Sequence, residues 1–169
     1  RPQAAGKEEV VPLLHDLEHL LRLGDHPLDE GQVRTWGLEL AEILGYLHAQ
    51  SPPVIYRDLK PSNIMVRPDG RLVLVDFGAA RVRTESPKDT VALGTPGYAA
   101  PEQYGGLATD ERADVYGLGV TLFELLTRRD PASFGFSFPP LRDLGVVVSP
   151  SLEAALSRAT SARAADRFA

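Results

Sequence analysis

Tyr56-Arg57-Asp58-Leu59-Lys60-Pro61-Ser62-Asn63 sets a carboxylate, an ammonium and an amide oxygen within positions 58 to 63. Thirteen positions after Asn63 stands Asp76, followed by Phe77 and Gly78. The Asp76 carboxylate and the Asn63 amide oxygen are hard ligands, suited to Mg²⁺ that also binds phosphate oxygens. Taken singly, each residue has a plainer use: an Asp at a strand end is usually a turn residue, and the tripeptide alone means little. The joint pattern of a loop bearing Asp, Lys and Asn at fixed offsets, a hairpin, and then Asp-Phe-Gly points to chemistry on a phosphate.

Two short β-branched runs hold the loop, Val54-Ile55-Tyr56 before it and Ile64-Met65-Val66 after it. The second run pairs with Leu72-Val73-Leu74-Val75 across Arg67-Pro68-Asp69-Gly70, whose Pro, Asp and Gly are turn residues. Asp76 therefore leaves directly off a strand end. Upstream, Leu13, Leu14, Leu17, Leu20 and Leu21 recur at helical spacing until Gly24. Asp29 can cap a helix whose Val33, Trp36, Leu40, Leu44 and Leu47 share one face, ending near His48 before Pro52-Pro53. Residues 112 to 127 are apolar nearly all round, which predicts a helix inside the fold. Leu152–Thr160 reads as a helix, and Ala162–Ala169 as the start of another. Residues 79 to 100 and 130 to 150 show no period, and residues 1 to 12 read as a frayed lead-in.

Composition narrows the function. The chain has 169 residues, a formal net charge of -5 and no cysteine. Its arginines are scattered, with no basic stripe for nucleic acid. The lack of cysteine excludes disulfides, thiol catalysis and thiolate metal sites, and fits a reducing, cytoplasmic compartment. No apolar run reaches membrane-spanning length. His15 and His19 have i, i+4 spacing that can bind zinc, but no third ligand accompanies them. The bland use of a solvated helix face is preferred, and none of the four histidines is assigned a catalytic role.

On these residues the sequence resembles the protein kinase family, from about residue 13 to the end. The family's catalytic-loop pattern His-Arg-Asp-Leu-x-x-x-Asn stands as Tyr56 to Asn63, its metal motif as Asp76-Phe77-Gly78, and its Ala-Pro-Glu motif as Ala100-Pro101-Glu102. Gly94-Thr95-Pro96-Gly97-Tyr98 precedes the last, and the buried helix opens with Asp114-Val115-Tyr116-Gly117-Leu118-Gly119 as the family's central helix does. The resemblance implies a mainly α-helical C-terminal lobe with short β-hairpins, spanning 13 to 169, with its catalytic loop at 56 to 63 and its activation segment at 76 to 102. It implies transfer of the ATP γ-phosphate to Ser/Thr hydroxyls of protein substrates.

The same resemblance assigns roles. Asp58 orients the hydroxyl and accepts its proton, Lys60 neutralises charge on the transferred phosphoryl group, and Asn63 and Asp76 hold Mg²⁺. Lys60 also argues for serine/threonine specificity. Met65 lies under the adenine ring, Thr95 braces Asp58 and Lys60, Glu102 pairs with Arg167, and Asp114 caps its helix and anchors the loop backbone. Arg57 contacts a phosphate on Thr84, Ser86 or Thr90, with Thr90 favoured.

Two departures stand out. Tyr56 replaces the family's usual His, a position that packs on Phe77, so an aromatic ring can fill it. No Gly-x-Gly-x-x-Gly occurs, and of the three lysines Lys7 has no strand pattern around it and Lys88 falls in the aperiodic stretch read as a loop. The β-rich N-terminal lobe is thus expected to be absent or largely missing here, and this chain alone to have negligible activity. A non-catalytic, pseudokinase-like binding module is the alternative. A small-molecule phosphotransferase ranks lower, because such enzymes lack a segment like Gly94 to Glu102.

Overall fold

The first two helices of this protein open on carboxylates. The Asp29 side chain accepts from Gln32 N at 3.1 Å and opens a nineteen-residue helix, and Asp16 accepts from His19 N at 2.7 Å and opens a shorter one. The computed structural model describes residues 15–24, 26–82, 94–104 and 109–169. In chain order these form β1 (His15–Asp16), α1 (Leu17–Leu23), α2 (Glu30–His48), β2 (Val54–Ile55), β3 (Ile64–Val66), β4 (Leu72–Leu74), β5 (Arg81–Val82), α3 (Pro101–Tyr104), α4 (Arg112–Thr127) and α5 (Pro150–Ala159), joined in places by single 3₁₀ turns. The lead-in at 1 to 12, with Leu13 and Leu14, lies outside the described residues.

The first helix starts later than leucine spacing predicts. His15 and Asp16 are extended and pair antiparallel with β3, placing Asp16 opposite Met65. Pairing satisfies backbone groups that a longer helix would have bonded internally. His15 is therefore on a strand and His19 on a helix, with their rings stacked 4.8 Å apart at 13°. β3 and β4 form the expected hairpin, with Ile64 opposite Leu74 and Gly70 at φ 84° in its turn. A second small sheet, β2 against β5, was not expected from the aperiodic stretch after residue 79.

α4 is the hub. Its apolar circumference is accommodated by burial on nearly every side, Val120, Leu125 and Leu126 being fully or almost fully enclosed. Two glycines set its closest contacts. A Cβ on Gly119 would come within 2.8 Å of the Ala159 Cβ on α5, and one on Gly117 within 3.3 Å of the Leu59 Cβ. The core formed with α2 contains Val33, Trp36, Leu40 and Leu44. Arg128, at φ 54° just past α4, donates to the carbonyls of Leu21 and Gly24 and ties down the end of α1.

Residues 162 to 169 do not start a helix. They make one 3₁₀ turn, Ala164–Asp166, and then extend at Arg167. No described helix is long and apolar enough to cross a membrane.

Candidate active site

The 56–63 loop lies between β2 and β3, and its backbone is fixed from below by α4. Asp114, whose side chain is fully buried, accepts from Tyr56 N at 2.8 Å and from Arg57 N at 2.6 Å. Arg57 sits at φ 72°, in the left-handed region that costs a non-glycine residue about 1 kcal/mol or more. The two charge-assisted bonds to Asp114 hold that conformation. Gln103 Nε2 donates to Arg57 O at 3.0 Å, and Thr121 Oγ1 donates to Leu59 O at 3.3 Å. Asp114 does not cap its own helix. Both of its oxygens are committed to the loop, and Asp110 Oδ1 accepts from Arg112 N instead.

On this frame three of the expected site residues meet directly. Lys60 Nζ lies 3.0 Å from Asp58 Oδ2, and Asn63 Nδ2 donates to the same oxygen at 3.0 Å and to Asp58 O at 2.9 Å. Thr95 joins them from the far segment: its N–H and hydroxyl donate to Asp58 Oδ1 at 3.2 and 2.7 Å, while its oxygen accepts from Lys60 Nζ at 2.6 Å. Burial alone would push the Asp58 carboxyl up. The bonds from Thr95, Lys60 and Asn63 outweigh it and hold the group below the usual carboxylate range.

Asp76 reaches the site through the hairpin. Val75 N donates to Asn63 O at 3.0 Å, so the two expected metal ligands lie on neighbouring chain segments. Asp76 itself is exposed at φ 59°, and its Oδ1 accepts from Gly78 N at 3.1 Å. Tyr56 packs its ring edge-on to Phe77, 5.2 Å between centroids, and its hydroxyl donates to Val75 O. Burial first, then the carboxylates of Asp58, Asp76 and Asp114, push the Tyr56 phenol far up, so it stays a neutral donor. Met65 is half-buried on β3 beside Asp16. Thr84, Ser86 and Thr90 lie outside the described residues, as do Lys7 and Lys88.

The Gly94–Glu102 region is anchored at both ends. Tyr98 donates from its hydroxyl to Glu124 on α4. Glu102 takes a bidentate pair from Arg167, at 2.6 and 3.0 Å. The remaining guanidinium donors of Arg167 go to the carbonyls of Arg112, Ser161 and Ala162, so all five N–H groups are used.

Sequence reading missed several partners. His48 Nε2 lies 2.8 Å from Asp114 Oδ2, at the end of α2. Gln103, Thr121 and Glu124 carried no local signal. Each acts across a gap that spacing does not encode.

A family model described as a protein kinase domain matches residues 9–135. The serine/threonine-protein kinase pkn3 of Myxococcus xanthus is 35% identical over 173 aligned residues, covering 88% of this chain and 31% of that protein. The leucine-rich repeat receptor-like protein kinase PEPR2 of Arabidopsis thaliana is 37% identical over 136 residues, with coverage of 79% and 12%. The probable serine/threonine-protein kinase PBL24, also of Arabidopsis thaliana, is 40% identical over 125 residues, with coverage of 70% and 32%. The chain thus spans a third or less of each of these relatives.

Proposed function

The chain belongs to the protein kinase family, and on that premise we propose that it is the phosphotransfer lobe of a longer serine/threonine protein kinase. The observation that carries the proposal is the closed Asp58–Lys60–Asn63–Thr95 cluster, which puts an ionised carboxylate and an ammonium within 3.0 Å of each other.

The donor set fits magnesium. Both bonds from the Asn63 amide to Asp58 run through Nδ2, which leaves Oδ1 for a ligand. Asp76 Oδ1 takes the Gly78 N–H, and its second oxygen accepts no hydrogen bond among the described residues. One carboxylate and one amide oxygen suit a hard cation whose other ligands are water and phosphate oxygens. When bound, Mg²⁺–ATP supplies the transferable phosphoryl group and the cationic charge beside it.

The chain's own residues do the rest. Asp58, kept ionised by the bonds from Thr95, Lys60 and Asn63, orients a substrate hydroxyl and accepts its proton. Lys60 holds positive charge two residues from that base, where negative charge develops on the transferred group. Thr95 fixes both side chains, and Met65 supports the nucleotide base. We also propose that phosphate on Thr90 is bound by Arg57, and that the lobe works in the cytoplasm.

The test is transfer of γ-labelled phosphate to Ser/Thr proteins by the full-length protein with Mg²⁺. Asp58→Asn is expected to lower kcat by about 10²–10⁴-fold, the usual share of a positioned base. Undiminished transfer by that variant refutes the assignment. Intact mass after incubation with ATP tests Thr90.

A further inference from the structure

The Asp58 side chain is aimed by the planar peptide group that enters it, made of the Arg57 carbonyl and the Asp58 nitrogen. Arg57 sits at φ 72°, and its N–H is held from α4 by Asp114 Oδ1 at 2.6 Å. The carbonyl on its other side is held from a different element. Gln103, on α3 and only 3% exposed, donates from Nε2 to Arg57 O at 3.0 Å. Its Oε1 accepts from Ala100 N at 2.8 Å. One partner is a C=O and the other an N–H, so a single orientation of the amide satisfies both.

Gly94 makes room for this strut. At φ 143°, it lies so close that a Cβ there would come within 3.0 Å of Gln103 Nε2. Thr95 follows directly and bonds the Asp58 carboxylate. The segment from Gly94 to Gln103 therefore holds Asp58 twice, by its carboxylate through Thr95 and by its entering peptide plane through Gln103. A buried amide bridging two backbone groups is costly to lose, because water does not replace it. We infer that Gln103 is a positioning residue for the phosphotransfer proposed above, making the aim of Asp58 depend on the docking of the Ala100-Pro101-Glu102 segment. The inference rests on the kinase reading.

The test compares Gln103→Met and Gln103→Glu with the parent in the full-length protein. Met keeps the side-chain length and makes neither bond. Glu keeps an acceptor for Ala100 N, but only its protonated form can donate to Arg57 O. Gln103→Met is expected to lower kcat by about 10–100-fold, the order for a reacting group displaced by ~1 Å, with KM for ATP unchanged. The kcat of Gln103→Glu relative to Gln103→Met is expected to rise as pH falls from about 8 to about 6, since burial beside a carbonyl favours the neutral acid. Asp58, Asp114 and Arg57 are common to both variants, so their titration cancels in the ratio. Hydrogen exchange of the 56–63 peptide, read by mass spectrometry, is expected to quicken in Gln103→Met while α5 keeps its protection. Parent-like kcat and loop exchange in Gln103→Met overturn the inference. A ratio flat with pH also overturns it, as does exchange that quickens equally in α5. Faster exchange confined to the loop in Gln103→Met, when the parent transfers phosphate to no substrate, supports the strut and overturns the kinase reading instead.

Discussion

Asp114 Oδ1 lies 2.6 Å from the backbone nitrogen of Arg57, a residue held at φ 72°. The central helix thereby stabilises a backbone turn that the loop's own residues disfavour, and Asp58 is aimed from that turn. Asp114→Ala leaves the buried N–H groups of Tyr56 and Arg57 without acceptors. The expected cost is about 2–4 kcal/mol, or a fall in Tm of roughly 5–15 °C, read by calorimetry. The kcat is expected to fall by about a hundredfold, the order seen when a reacting group shifts by ~1 Å.

Arg167 and Glu102 form a desolvated pair. Arg167→Met strands the Glu102 carboxylate and leaves three carbonyls without donors, at an expected cost of about 3–5 kcal/mol in urea unfolding. Adding Glu102→Leu to Arg167→Met is expected to recover part of that loss, because the stranded charge goes while the carbonyls of Arg112, Ser161 and Ala162 stay unpaired. A double variant no more stable than the single one counts against stranded charge as the cause.

Asp58 is less readily protonated in the folded protein than in the unfolded chain, burial being outweighed by its hydrogen bonds. Its contribution to stability is present above the unfolded value of about 3.9 and is lost as pH falls through the lower folded value. Thr95→Val removes one of the donors that offset burial. Acid unfolding and the acid limb of kcat/KM are both expected to move to higher pH, measured by titration of each.

Glu124 shows the opposite sign. Burial pushes its carboxyl up, against the Tyr98 hydroxyl bond, with Asp130 and Glu18 adding to the rise. Its contribution is complete below the unfolded value of about 4.3 and is lost as pH rises through the folded value. Gln keeps an acceptor for Tyr98 without the charge. Glu124→Gln is expected to be more stable than the parent at pH 7 to 8, with the difference vanishing toward pH 4, in paired thermal melts.

Much of the site was legible because its signals are local. Asp58, Lys60 and Asn63 share one short loop, so strand-bounded spacing alone brings them near each other. The Asp29 cap and the all-round apolar character of Arg112–Thr127 are likewise encoded within a few turns of chain. The hairpin that carries Asp76 beside Asn63 follows from its turn residues.

Long-range partners were not legible. His48 and Asp114 are 66 residues apart, and nothing near either marks the other. Helical spacing ran through His15 and Asp16, yet both pair with β3, because an open strand edge offers their backbone groups equivalent bonds. Ala162–Ala169 read as a helix, but Arg167 extends so that its guanidinium can reach Glu102.

The amino-acid sequence by itself determined the long helices and the central hairpin, the order of the motifs and which side chains could do phosphate chemistry, since these depend on spacing, turn residues and polarity. Only the tertiary structure decided how Asp114 spends its carboxylate and where Tyr98 and Arg167 are anchored. Those outcomes depend on which distant surfaces bury one another, and burial gives a single charge or ring its energetic weight.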